Sequence, residues 1–106
     1  MSQNQLKIEE LFALIKEKIA AQETNSYTNE LVRSGLELMT RKVGEEAVEV
    51  IVAAFANEKK SNEKSREELV GEICDLFFHS LVLMASQKIE LDEISAEFFK
   101  RNQKKK

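Results

Sequence analysis

The chain contains no proline and no tryptophan, and only three glycines, one cysteine, one histidine and one tyrosine in 106 residues. Without proline nothing enforces a helix break, and with so little glycine few tight turns are available. The abundant Ala, Glu, Lys and Leu then favour an all-α chain. A single cysteine excludes an intramolecular disulfide and fits a reducing compartment. Cys74 lies in an apolar run, where a small core residue is expected. Positive charge is not in excess: 16 Lys and Arg stand against 19 Asp and Glu, for a net charge of −3. No basic face dominates, which argues against general nucleic-acid binding. No charged-then-apolar targeting pattern opens the chain. No apolar run approaches the roughly 20 residues of a membrane span, so no membrane partner is expected. The expectation is a cytoplasmic protein of one domain, 1–106, with 42% hydrophobic and 33% charged residues.

Apolar spacing divides the chain into helices. Leu6, Ile8, Leu11, Phe12, Leu14, Ile15 and Ile19 predict an amphipathic helix over about 4–22. A polar stretch follows, in which Ser26 or Thr28 can cap a short helix over 29–34. Gly35 interrupts, and a long helix is expected from about Leu36 to Asn57. Gly44 inside it costs about 1 kcal/mol relative to Ala; close packing of another backbone or a ligand would explain it. Residues 57–64 form a charged loop, and Ser65-Arg66-Glu67-Glu68 has the form of a capping box. The next helix, about 66–87, is apolar around nearly its whole circumference. Such a helix belongs at the centre of a bundle or of an oligomer. The fold expected is a bundle of four main helices assembled as a homodimer, with the 36–57 and 66–87 helices at an intersubunit core. A last helix over about 92–102 should turn Ile94, Phe98 and Phe99 inward, and Lys104-Lys105-Lys106 forms a solvated tail.

Two interruptions of apolar sequence stand out. Lys42, Glu45, Glu46 and Glu49 fall within an arc of roughly 100° on a helix. Glu49 is the only polar residue between Ala47 and Ala56. Further on, Glu72, Asp75 and His79 punctuate an equally apolar helix. Acids three apart share a helix face, and a carboxylate alone among apolar residues is expensive to bury unless something meets it. Four carboxylates facing one another require cations. Ligands that are all oxygen select Mg²⁺, with Mn²⁺ as a substitute. Magnesium on carboxylates is a common device for binding a polyphosphate and activating water toward phosphorus. A di-iron bundle would use Glu-x-x-His pairs, and this chain has Glu-x-x-Glu and Glu-x-x-Asp. The bland alternative is that the acids are exposed partners of Arg41, Lys42 or Lys100.

The segments Ser26-Tyr27-Thr28, Lys42-Val-Gly-Glu-Glu-Ala-Val-Glu49 and Glu72-Ile-Cys-Asp-Leu-Phe-Phe-His79 resemble the phosphoribosyl-ATP pyrophosphatases of histidine biosynthesis. These belong to the all-α nucleoside triphosphate pyrophosphohydrolases, together with MazG-like proteins and dimeric dUTPases. The resemblance covers about residues 26–101. It implies hydrolysis of phosphoribosyl-ATP to phosphoribosyl-AMP and pyrophosphate, with Glu46, Glu49, Glu72 and Asp75 as metal ligands. It places Lys42 and Glu45 in the pocket and His79 in a supporting position. Glu45 and Glu49 are then the candidate catalytic carboxylates, Glu45 orienting or deprotonating the attacking water. Tyr27, Thr28 and Arg33, with Ser26, are candidates for the substrate's distal phosphate. Where the family usually carries tyrosine, this chain has Phe78. Other readings are a house-cleaning dNTP pyrophosphatase on the same scaffold and a non-catalytic helical dimerisation module.

Overall fold

A computed structural model describes residues 4–104, and among them there are five helices and no strand. They are α1 (Ile8–Ala21), α2 (Tyr27–Ser34), α3 (Leu36–Lys59), α4 (Glu63–Ser86) and α5 (Leu91–Gln103). Of the basic tail, Lys105 and Lys106 lie outside the described residues.

The helix boundaries follow local chemistry. Ser26 caps α2, its Oγ accepting the amide of Asn29 at 3.2 Å; Thr28 lies inside the helix. Gly35 separates α2 from α3 with φ 100° and ψ 178°, a region that essentially only glycine occupies. The expected capping box at Ser65 and Glu68 is displaced. Asn62 is the N-cap, its side chain accepting the Ser65 amide at 2.8 Å, while the Asn62 amide donates to Ser65 Oγ at 3.0 Å. Asn62 wins because it adds a turn to α4 and leaves Ser65 Oγ free to donate to Asn57 at 2.7 Å. The loop expected over 57–64 shrinks to residues 60–62.

Helices α3 and α4, each 24 residues and thus about 36 Å long, form a hairpin that carries the chain's most extensive packing. One end of the hairpin is covered. Phe12 and Ile15 of α1, Leu31 of α2, Met39 of α3, and Leu81 and Val82 of α4 make the buried core there. The other end is bare. Val48, Ile51, Val52 and Phe55, spaced as one face of α3, are 55–73% exposed. Val70 and Phe77 on α4 are exposed as well, and so is Cys74, contrary to the core position expected for it. Among the described residues, nothing in the same chain covers these side chains of α4. Gly44 is also open: a Cβ there would meet no atom within 4 Å, so the close packing expected of it is not made within this chain.

Helix α5 departs most from expectation. It has no buried residue and meets the body at its start, where Leu91 reaches the core and Glu90 pairs with Lys16 at 2.6 Å. Ile94, Phe98 and Phe99 are 39%, 66% and 67% exposed, so they do not face inward. A bundle of four main helices is therefore not closed within one chain. The radius of gyration is 15.9 Å, against about 13 Å for a compact chain of this length. Its accessible area is 8080 Å², against roughly 6,100 Å² for a compact monomer of this mass.

Helix α4 contains an 18-residue window of mean hydropathy 1.5, long and apolar enough by composition to cross a membrane. This corrects the expectation that no run approached that length. Glu72 and Asp75 sit within the helix, and each acid near a bilayer centre costs roughly 2.5–3.5 kcal/mol.

Candidate metal and substrate site

The acids lie midway along the hairpin, between the core and the bare end. Glu46 of α3 meets Glu72 and Asp75 of α4, with one carboxylate oxygen of each lying within 4.8 Å of the others. Glu46 is buried, Glu72 half-buried and Asp75 exposed, so the cluster opens from the protein interior to solvent. Glu49 stands beside it, lining one cavity together with Glu72. Two acids from Glu-x-x-Glu on one helix thus face two from Glu-x-x-Asp on the other, as the three-residue spacing predicts.

Their protonation equilibria record the crowding. Burial pushes the Glu46 carboxyl above its usual range, and the charges of Glu49 and Asp75 add to this, while His79 and Lys42 oppose it. Glu72 is pushed up first by the hydrogen bond with Glu49, then by desolvation and by the charges of Glu49, Asp75 and Glu46. Glu46 Oε1 and Glu72 Oε1 are buried without a hydrogen-bond partner. Such oxygens are costly unless a cation meets them. The donor set is all oxygen, matching Mg²⁺ or Mn²⁺ and disfavouring softer ions. The residues present fit a divalent hard cation.

His79 is held on both sides. Its Nδ1 lies 2.9 Å from the backbone oxygen of Asp75 and 3.9 Å from Glu46 Oε2, and its Nε2 lies 2.9 Å from Tyr27 Oη. The carbonyl can only accept, so Nδ1 carries the proton, and in the neutral ring Nε2 accepts from the tyrosine. Phe78 stacks on Tyr27 at 6.1 Å and meets His79 edge-on at 5.3 Å. The residue that lacks the family's hydroxyl therefore braces the tyrosine ring. This arrangement ties the first turn of α2 to the Asp75 turn of α4.

The other candidates are spread around this centre. Lys42 is 3.7 Å from Glu45, which Arg41 also approaches at 3.9 Å, so Glu45 is exposed and paired beside the cluster. Thr28 is buried at 4% exposure, and its hydroxyl does not face solvent. Arg33 stands six residues beyond Tyr27, about 9 Å along α2. It donates to the Thr24 carbonyl at 3.4 Å and lines a separate cavity of about 430 Å³ with Gln22 and Asn29.

A residue missed at the sequence level is Glu68. With Glu49, Glu72, Val52, Ala53 and Ala56 it lines a cavity of about 380 Å³ adjoining the cluster, and Lys64 pairs with it at 2.6 Å. Its spacing, four before Glu72 and seven before Asp75, puts it on the same helix face and was the available signal.

Comparison with known proteins agrees with this geometry. Residues 8–102 match the phosphoribosyl-ATP pyrophosphohydrolase family. The chain is 40% identical over 97 residues to the phosphoribosyl-ATP pyrophosphatase of Clostridium novyi, covering 92% of this chain and 82% of the relative. Identity to the Clostridium acetobutylicum enzyme of the same name is 36% over 104 residues, 98% and 87% of the two chains. The Metallosphaera sedula enzyme is 40% identical over 94 residues, 89% and 94%. With the match spanning all five helices and both acidic pairs, the chain belongs to the phosphoribosyl-ATP pyrophosphohydrolase family.

Proposed function

We propose that the protein hydrolyses phosphoribosyl-ATP to phosphoribosyl-AMP and pyrophosphate, with Mg²⁺, as a cytoplasmic homodimer in histidine biosynthesis. The observation that carries this reading is the convergence of Glu46, Glu72 and Asp75, with two buried carboxylate oxygens left without partners. Glu46, Glu49, Glu72 and Asp75 would hold the ion. When bound, it supplies charge neutralisation for the polyphosphate and a more acidic water; Mn²⁺ can take its place.

The rest of the reading rests on the chain's own groups. Water adds to phosphorus, the bond between the α and β phosphates breaks, and pyrophosphate leaves. The water's proton passes to a carboxylate at the cluster's edge: Glu45, once Lys42 is drawn to phosphate, or Glu49. Lys42 offers the compact charge of an ammonium to a phosphate oxygen. His79 fixes the Asp75 turn and Tyr27 fixes His79, so both act as positioning residues. Arg33 is the cation assigned to the distal phosphate. Thr28, being buried, supports α2 in this reading and does not contact the substrate directly.

The homodimer is supported by the bare α3 stripe, the exposed Val70 and Phe77, and the area in excess of a compact monomer. An interface of standard size removes about 800 Å² per partner, and the excess exceeds this.

The test is pyrophosphate release from phosphoribosyl-ATP, ATP, dUTP and dCTP. The expected result is Mg²⁺-dependent turnover with strong preference for phosphoribosyl-ATP, because remote binding energy positions the reacting phosphorus. Comparable efficiency on dUTP or dCTP would move the assignment to a house-cleaning dNTP pyrophosphatase. No release from any substrate would leave only a dimerisation module.

A further inference from the structure

Beyond Leu91 and the Glu90–Lys16 pair at its start, helix α5 is an amphipathic arm with no buried residue among the described residues. Ile94, Phe98 and Arg101 fall within about 60° of one another around its axis, so one face carries two exposed apolar side chains and then a guanidinium. Among the described residues that guanidinium is held by Glu97 at 2.9 Å, with both side chains largely exposed. Exposed pairs of this kind are worth about 0.2–1 kcal/mol and exchange readily.

The complementary surface lies on the α3–α4 hairpin. Val52 belongs both to the bare stripe on α3 and to the wall of the cavity that holds Glu49, Glu68 and Glu72. Whatever covers the stripe therefore borders that cavity. The protomer brings few free cations to it. Lys64 is paired with Glu68, and Lys42 and Arg41 both approach Glu45. A substrate bearing a triphosphate and a further phosphate needs more positive charge than this.

We propose that α5 of each protomer lies on the α3 stripe of its partner, with Phe98 seated beside Val52. Arg101, one turn further along α5, then enters the partner's site as a phosphate-binding cation. The occupant of the stripe is thus a second copy of this chain, and each site is incomplete without it. The basic last turn of α5, Lys100 and Arg101, matches the acidic cavity in charge. Arginine suits this role because its planar fork binds phosphate oxygens bidentately. The inference rests on the homodimer proposed above and adds the residue that crosses it.

The test uses full-length chains carrying two different affinity tags, so that mixed dimers can be isolated. One mixed dimer pairs Glu49→Gln on one chain with Arg101→Ala on the other. It retains one whole site if Arg101 acts across the interface, and about half the wild-type rate is expected. The second mixed dimer pairs a chain carrying both substitutions with a wild-type chain. Its one intact set of acids then faces a partner arm that has lost its guanidinium, and activity near background is expected. The reverse pattern, or half activity in both mixed dimers, overturns the proposal. Light scattering on the wild-type protein separates a failure of the dimer itself: a monomer active at micromolar concentration overturns the homodimer reading together with this inference. Arg101→Lys in both chains, which keeps the charge, recovers part of the activity lost in Arg101→Ala if the role is ionic.

Discussion

Glu46 concentrates the conflict at the site in one side chain. It is buried at 7% exposure, with one oxygen unpartnered and other acids beside it. Its carboxyl is raised by burial first. A group raised in the folded state stabilises the fold below its unfolded value, and that contribution is lost as pH climbs through the folded value. The metal-free protein should therefore lose stability relative to Glu46→Gln as pH rises above 4.5. Thermal melts in chelator from about pH 4 to pH 7 should show the variant's advantage widening, and excess Mg²⁺ should reverse it in favour of the wild type. An advantage that narrows with pH would mean that Glu46 is not the strained group. For His79 the geometry predicts a positioning role, since both ring nitrogens are engaged. His79→Ala should lower activity by about 10–100-fold and raise the Mg²⁺ concentration needed for half-activity; an unshifted Mg²⁺ requirement with complete loss would instead put the ring in the chemistry. The acids were legible from sequence because each pair interrupts an apolar run at helical spacing. The Tyr27–His79 bond was not, because its partners are 52 residues apart and no local pattern joins them.

At the scale of elements, sequence periodicity finds the helices and misjudges their ends. The start of α4 shows why: two capping boxes compete within seven residues, and Asn62 with Ser65 prevails over Ser65 with Glu68. The choice matters for the site, since it frees Glu68 to line the cavity beside Glu72. Asn62→Ala removes the cap of the helix that carries Glu72 and Asp75. The expected loss is about 0.5–2 kcal/mol of stability in a denaturant titration, with the metal requirement unchanged. Stability within a few tenths of wild type would return the cap to Ser65.

For the whole molecule, the missing information is what lies outside one chain. The sequence shows that α4 is apolar on all sides and that α5 has an apolar face. Phe98 and Cys74 were expected inside and stand exposed in the single chain; in the proposed homodimer a second copy decides which of these surfaces are covered. Phe55, at 73% exposure, tests the covering directly. Burying a phenylalanine contributes about 1.5–3 kcal/mol, counted twice across a twofold axis, so Phe55→Asp should weaken dimerisation roughly a hundredfold or more. Light scattering over a dilution series measures it; an unchanged dimer would move the interface off this stripe.

The central claim is that four carboxylates on the α3–α4 hairpin make one catalytic metal site. Asp75→Asn preserves shape and removes one charge from the solvent-facing side of the cluster, where it does not disturb the core. The most direct measurement is the rate of pyrophosphate release from phosphoribosyl-ATP by this variant at saturating Mg²⁺, alongside its melting temperature in chelator. The predicted result is turnover at background in a protein at least as stable as the wild type, since apo repulsion falls. A near-wild-type rate would contradict the account, because the acids would then be a charged surface and not the site of the chemistry.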